Sequence, residues 1–232
     1  MIYFNGVALE SVAPVMIEDI RVSSIIQTPV TRDRPVNAGA TFIRAHEGTR
    51  TIGINFAIME QDYNIRQRYI EAVTAWALSD KPAPLLLPYH ANKSIDVICT
   101  GLPDPSTRQW WESRLSLNFT AYDPFFYDTF EKSAACGSTA FIVRGNAPPK
   151  MRIEKTLTAS GDLSYSDGTN TMAFTGVSAG DVVIDLTKQT AKVGSTSIMD
   201  KFALTSRFIL PRLGSMTITG SGTVKWREAW QA

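Results

Sequence analysis

The sequence predicts a mainly β protein of two domains: an N-terminal β-sandwich with one α-helix and a projecting loop or hairpin, residues 1–134, and a second β-sandwich, residues 138–232. Three observations carry this. Apolar residues alternate with polar ones at period two through much of the chain, the pattern of half-buried strands. One segment, Asp62 to Ser79, instead repeats its apolar residues every three or four positions. Composition shifts at the Ser/Ala/Gly-rich stretch Ser133-Ala-Ala-Cys-Gly-Ser-Thr139, after which lie 10 of the 15 glycines and many serines and threonines. Such a shift marks a domain boundary.

Taken in order, Thr28 to Gly48 places polar punctuation, Arg32-Asp33-Arg34-Pro35 and Asn37-Ala-Gly39, between apolar stretches. It reads as a long loop or projecting hairpin. With little apolar periodicity of its own it has poor means of burying itself, and a partner is expected. Thr51 to Met59 then alternates cleanly, with Ile52, Ile54, Phe56 and Ile58 on one face of a strand. In the helical segment the apolar positions are Ile65, Tyr69, Val73, Trp76 and Ala77, Asp62 is the N-cap, and Pro82 lies just past the end. A Pro-punctuated crossing, Pro82-Ala-Pro-Leu-Leu-Leu-Pro88, leads to strands at Ser94 to Thr100 and at Leu115, Leu117, Phe119 and Ala121.

After the boundary every periodic run is short and of period two. The runs are Met151-Ile153, Leu163-Tyr165, Met172-Phe174, Val182-Leu186, Phe208-Leu210, Met216-Ile218 and Val224-Trp226, separated by turns such as Ser166-Asp167-Gly168 and Gly220-Ser221-Gly222. About seven short strands without a helical period indicate a sandwich.

The composition excludes several classes. Of 232 residues, 44% are apolar, and 23 basic side chains face 22 acidic ones. Ordinary aromatic content argues against disorder. The two cysteines, Cys99 and Cys136, are too few for a disulfide scaffold and read as buried thiols of a protein made in a reducing cytoplasm. The longest apolar run, Pro84 to Pro88, is far short of the ~20 residues of a spanning helix, and the first residues lack the pattern of a signal peptide. Neutrality conceals an asymmetry. Residues 1–134 hold 12 Lys/Arg and 15 Asp/Glu, net −3, and residues 135–232 hold 11 and 7, net +4.

Catalytic chemistry is hard to find. His46 and His90 stand in no HxxxH or HExxH arrangement, the cysteines have no CxxC spacing, and GxSxG, the Walker loop and GxGxxG are absent. Asp181 and Asp185 share a strand face, but alternate Val182, Ile184 and Leu186 already supply the buried side, so a solvated edge is the simpler reading. No enzyme activity, no cofactor and no metal site are expected. Trp110-Trp111, and Trp226 with Trp230, suit either a core, a protein interface or a sugar-stacking platform; adjacent tryptophans on a strand point to opposite faces.

The order of landmarks says more. Phe4-Asn5-Gly6, then Arg32-Asp33, Arg50-Thr51-Ile52, Val73-Thr-Ala-Trp76-Ala-Leu78, Leu85-Leu-Leu-Pro88 and Leu117-Asn-Phe119-Thr-Ala-Tyr122-Asp123-Pro124-Phe125-Phe126-Tyr127 resemble the distal tail protein (Dit) family of long-tailed, siphovirus-type bacteriophages and prophages. Past the boundary, Ala147-Pro148-Pro149, Val183-Ile184-Asp185-Leu186-Thr187 and Phe208-Ile-Leu-Pro-Arg-Leu-Gly214-Ser-Met-Thr-Ile218 are similar to the second, galectin-like domain of that family. The match departs at Arg34-Pro35, where glycines are usual, and at Ser215 after Gly214.

The resemblance implies a virion structural protein, assembled in the host cytoplasm. It would be a homo-hexameric ring at the tail tip between the tail tube protein and the tail-associated hub or lysin protein, with a channel that DNA crosses without specific binding and without membrane insertion. The second domain lacks the long insertion that holds receptor-binding proteins in some relatives, so such a protein is only an optional partner. The subunit contact is expected from Arg32, Asp33, Arg34 and Phe42 of one copy to Arg66 or Tyr69 of the next, because a ring needs two unlike surfaces. An acidic first domain suits a DNA conduit. The alternative is a carbohydrate-binding module that reads a host-surface glycan through Trp226 and Trp230.

Overall fold

The computed structural model describes the backbone of residues 1–25, 27–33, 40–90, 92–108 and 111–231, and the side chains of these except 27–28, 31–33, 40–46 and 103–108. The chain divides into two compact units, Met1–Phe126 and Tyr127–Ala232.

The first unit begins with β1 (Tyr3–Phe4) and β2 (Val7–Ala8), joined by Asn5-Gly6 with φ of 51° and 80°. Two successive positive φ values are what a tight two-residue hairpin requires, and Asn-Gly is the pair that tolerates them. There follow α1 (Leu9–Val12), β3 (Val15–Val22), β4 (Gln27–Asp33), β5 (Ala40–Glu47), β6 (Arg50–Met59), α2 (Tyr63–Ala77), β7 (Ala83–Leu86), β8 (Lys93–Arg108) and β9 (Glu112–Ala121). The antiparallel order β3-β6-β9-β8-β7-β1-β2 runs through seven strands. β8 pairs with β7 over residues 94–97 and with β9 from Ile98 onward, and its register against β9 shifts three times between Cys99 and Thr107. Pro103 and Pro105 lie in this part. Having no N–H, prolines are tolerated where a ladder is bulged, which is why the strand runs past Thr100, where its apolar alternation ends.

The core follows the alternation. Ile52, Ile54, Phe56 and Ile58 of β6 and Leu117, Phe119 and Ala121 of β9 are fully buried. Helix α2 lies on this core through Trp76, whose ring meets Phe4 at 5.6 Å and Phe119 at 6.4 Å, while Phe4 and Phe119 are 5.3 Å apart.

β10 (Phe126–Asp128) carries the chain into the second unit. This unit holds β11 (Lys132–Ala135), β12 (Phe141–Val143), β13 (Ala147–Leu157), β14 (Gly161–Ser166), β15 (Thr171–Val177), β16 (Gly180–Asp185), β17 (Thr190–Val193), β18 (Thr196–Ser197), a 3₁₀ turn at Met199–Lys201, β19 (Gly214–Met216) and β20 (Thr223–Trp230). The antiparallel order β18-β17-β16-β13-β20-β11 forms its main sheet. β14 pairs with β15 and β12 with β19. Met151 and Ile153 of β13, Leu163 and Tyr165 of β14, Phe174 of β15 and Ile184 of β16 meet in one apolar cluster. Burial pushes the Tyr165 hydroxyl up to about 12, and it donates to the Ser221 carbonyl at 2.9 Å. At the neighbouring Gly220 (φ +136°) a Cβ would come within 2.8 Å of the Ser164 carbonyl, so the close turn there demands glycine.

Two expectations need correction. The Ser133–Thr139 stretch is not the boundary, which falls after Phe126: Ser133, Ala134 and Ala135 are strand residues opposite Lys225, Val224 and Thr223. Their small side chains left no apolar period to announce the strand. Phe208–Leu210 is not a strand. Ile209 is fully buried, but the segment is irregular and runs into Pro211.

Candidate assembly surfaces

Within Thr28 to Gly48 the described residues are the two paired arms of a hairpin. β4 and β5 pair antiparallel from Gln27 opposite Glu47 to Asp33 opposite Ala40, with Arg32 opposite Thr41 and Phe42 opposite Thr31. Among the described residues neither strand pairs with any other. Arg34 lies outside the described residues.

Helix α2 begins as its sequence requires. The Asp62 carboxylate accepts from the Asn64 and Ile65 N–H groups at 2.7 and 3.1 Å, satisfying donors that a helix start leaves open. Its buried face is Arg66, Ile70, Val73 and Ala77, whereas Ile65 is 40% exposed and Tyr69 half-buried. Arg66 is therefore no receiving surface for a neighbour. Its guanidinium donates to the Glu60 carbonyl and lies 5.8 Å from the Tyr63 ring centroid. An arginine stem can fill an apolar position when its head finds acceptors. The outward groups of the first turn are Tyr63 and Ile65, which the periodicity assigned to no site.

The titratable groups singled out by sequence have structural surroundings. His90 packs on the Phe126 ring at 4.5 Å. Burial, with Lys93 and Arg50 nearby, holds its pKa below the ordinary histidine value. Cys99 and Cys136 are half-buried free thiols, both pushed up by burial and so less reactive. Asp181 accepts from the Thr156 hydroxyl at 2.6 Å and Asp185 from the Lys188 N–H at 2.8 Å. Among the described residues no three His, Cys, Asp or Glu side chains converge as a metal site, and no helix is long and apolar enough to cross a membrane.

Of the alternatives open for Trp226 the structure takes the core and excludes the glycan surface: it is 5% exposed and its ring meets that of Phe141, tilted, at 4.7 Å on the inner face of β20, where no glycan reaches it. Trp230 is half-buried and donates its indole N–H to Asp128 at 2.9 Å. The outer face of the main sheet carries ion pairs instead. Arg152 grips Glu131 through two hydrogen bonds of 2.6 and 2.8 Å and meets Glu154 at 2.7 Å, and Lys225 meets Glu154 at 2.7 Å. Lys225 and Arg152 together hold the Glu154 carboxyl below its ordinary value. A shallow depression beside it, about 390 Å³, is lined by Glu154, Lys155, Thr156, Gly222, Thr223 and Lys225, with no aromatic ring for a sugar to stack on.

No family model and no curated protein matches the sequence. Solved structures do. The chain superimposes on the crystal structure of Dit (gp 19.1) of phage SPP1 with a TM-score of 0.74 and 16% identity, covering 98% of both chains. The fold is that of Dit. Chains of the phage P2 baseplate in its activated conformation, with Ca and with Sr, follow at TM-scores of 0.54 and 0.50 and identities of 9% and 7%, each covering 94% of this chain and 91% of the other. SPP1 Dit is described as a paradigm of the hub of the adsorption apparatus in phages infecting Gram-positive hosts. At these identities the likeness is one of fold, and it spans the Dit architecture from end to end.

Proposed function

We propose that the chain is a structural hub protein of a phage tail tip: a homo-hexameric ring that joins the tail tube protein to the tail-associated hub or lysin protein and leaves a channel for DNA. One observation carries this. The likeness to SPP1 Dit covers 98% of both chains, so it embraces both units rather than one common sandwich. Two features support it. The β4–β5 hairpin and the exposed first turn of α2 are the unlike surfaces that a head-to-tail, ring-closing contact needs. The net charge of −2 over the first unit, residues 1–126 with 11 Lys/Arg and 13 Asp/Glu, suits a conduit that must not hold phosphates. In this reading the first unit, Met1–Phe126, builds the ring, Arg32, Asp33, Arg34 and Phe42 reach the neighbour, and Tyr63, Ile65 and Tyr69 receive them.

Sedimentation and negative-stain imaging of the full chain at rising concentration test the proposal. Six copies of the 25.5 kDa chain in an annulus are expected, and deletion of residues 32–44 should leave a folded monomer. A closed two-fold dimer overturns the ring. Hexamers that survive the deletion overturn the hairpin contact.

A further inference from the structure

Between Phe202 and Gly214 the second unit turns an apolar surface to solvent. Leu204 is 104% exposed, Leu210 55% and Leu213 43%. One exposed leucine is ordinary, but three within ten residues of one irregular segment are a concentration of the kind that marks an interaction site. The segment is also fixed. The Ala203 N–H donates to the Ala173 carbonyl at 3.0 Å and the Arg207 N–H to the Thr171 carbonyl at 2.9 Å. Beneath it Phe202 and Phe208 stack at 4.8 Å, Phe202 meets Phe174 at 5.2 Å, and Ile209 is fully buried. Leucines held on an anchored backbone lose little freedom on binding, which favours affinity.

Charge narrows the occupant. Arg207 and Arg212 are exposed beside the leucines, and among the described residues neither takes part in an ion pair. No aspartate or glutamate occurs from Lys201 through Arg227. We infer that this segment is a docking surface for a partner protein whose contact region has an apolar pocket rimmed by carboxylates. Leu204, Leu210 and Leu213 enter the pocket, and the two guanidinium groups take the carboxylates in paired hydrogen bonds. A bilayer is the weaker fit, since basic residues near an anionic surface contribute only about 1 kcal/mol each and two are present. A sugar would need a free ring face, and the Phe202 and Phe208 faces are turned on each other. The inference does not depend on ring formation.

The test uses the full chain, the variant Leu204→Ser/Leu210→Ser/Leu213→Ser and the variant Arg207→Glu/Arg212→Glu, with equal melting temperatures as the folding check. The probe is a displayed random-peptide library selected on the native protein. The expected peptides combine Asp or Glu with Leu, Phe or Trp, and synthetic copies should bind either variant at least roughly tenfold more weakly. Peptides without acidic residues, or none that distinguish the variants, overturn the inference. So does co-sedimentation of the native protein, but not the triple-serine variant, with phosphatidylcholine/phosphatidylglycerol vesicles. A change in oligomeric state caused by the serine substitutions alone overturns it too, because a second copy would then occupy the face.

Discussion

In the first unit two arginines occupy positions on buried faces: Arg50 heads the inner row of β6, 1% exposed, and Arg66 stands on the inner stripe of α2, 5% exposed. In the second unit the inner rows of β13, β14, β16 and β20 are apolar, and among the described residues Glu228 is the one buried charge. Both arginines lie against rings, Arg50 at 5.4 Å from the Phe126 centroid and Arg66 over Tyr63. Burial lowers the Arg50 pKa, a sign of what holding its charge there costs. Glu228 is different. Burial opposes its charge, yet the Lys132 ammonium at 2.7 Å and the Arg144 N–H at 2.9 Å outweigh that and leave its pKa below the ordinary value. The first unit thus sets its two buried arginines against aromatic rings, while its buried Glu112 meets Arg114 at 3.4 Å, and in the second unit Lys132 answers the one buried charge among the described residues.

The largest effect should be equal on both sides. Phe119→Ala removes the hub of the Phe4–Trp76 cluster, and Trp226→Ala empties the space against Phe141; each should lower stability by about 3–5 kcal/mol in denaturant melts. A much smaller loss for Trp226→Ala would mean the second core is loosely built. Glu228→Gln comes next. It keeps an acceptor for Arg144 but breaks the pair with Lys132, and because the lysine is 42% exposed the expected cost is about 1–2 kcal/mol.

Acid should separate the units by the smallest margin. His90 has a lowered folded pKa, so below its unfolded value of 6.5 the unfolded chain binds more protons and the first unit loses stability as pH falls toward the folded pKa. Glu228 and Glu154 have lowered folded values beneath a reference of 4.5, so their contribution is intact above that pH and disappears only as pH drops through the folded values. Site-resolved 5-fluorotryptophan signals should therefore show Trp76 responding to acid before Trp226. His90→Phe should abolish the lead. Simultaneous loss in the native chain would show that histidine titration contributes nothing to the order.

How much of this was legible in the chain differs residue by residue. The alternation from Ile52 to Ile58 placed a strand and its inner face, and Asp62 placed the start of α2. The second-unit strands with strong periods were found, while Thr190–Val193 and Lys132–Ala135, rich in small or polar residues, were not. The candidate contacts were less legible. The hairpin shows itself by its polar punctuation, whereas Arg66 reads as an outward group and lies within, and Trp226, which the sequence leaves open between core and surface, belongs to a core.

Sequence by itself determined the period, because backbone geometry sets two residues per strand repeat and 3.6 per helical turn whatever surrounds them. It therefore determined a mainly β chain with one long helix and an N-cap aspartate. Only the tertiary structure decided which face of that period met a partner. Burial is a property of two surfaces distant in sequence, and a residue such as Arg66 or Trp226, apolar for most of its length and polar at one end, satisfies either side until the other surface is in place.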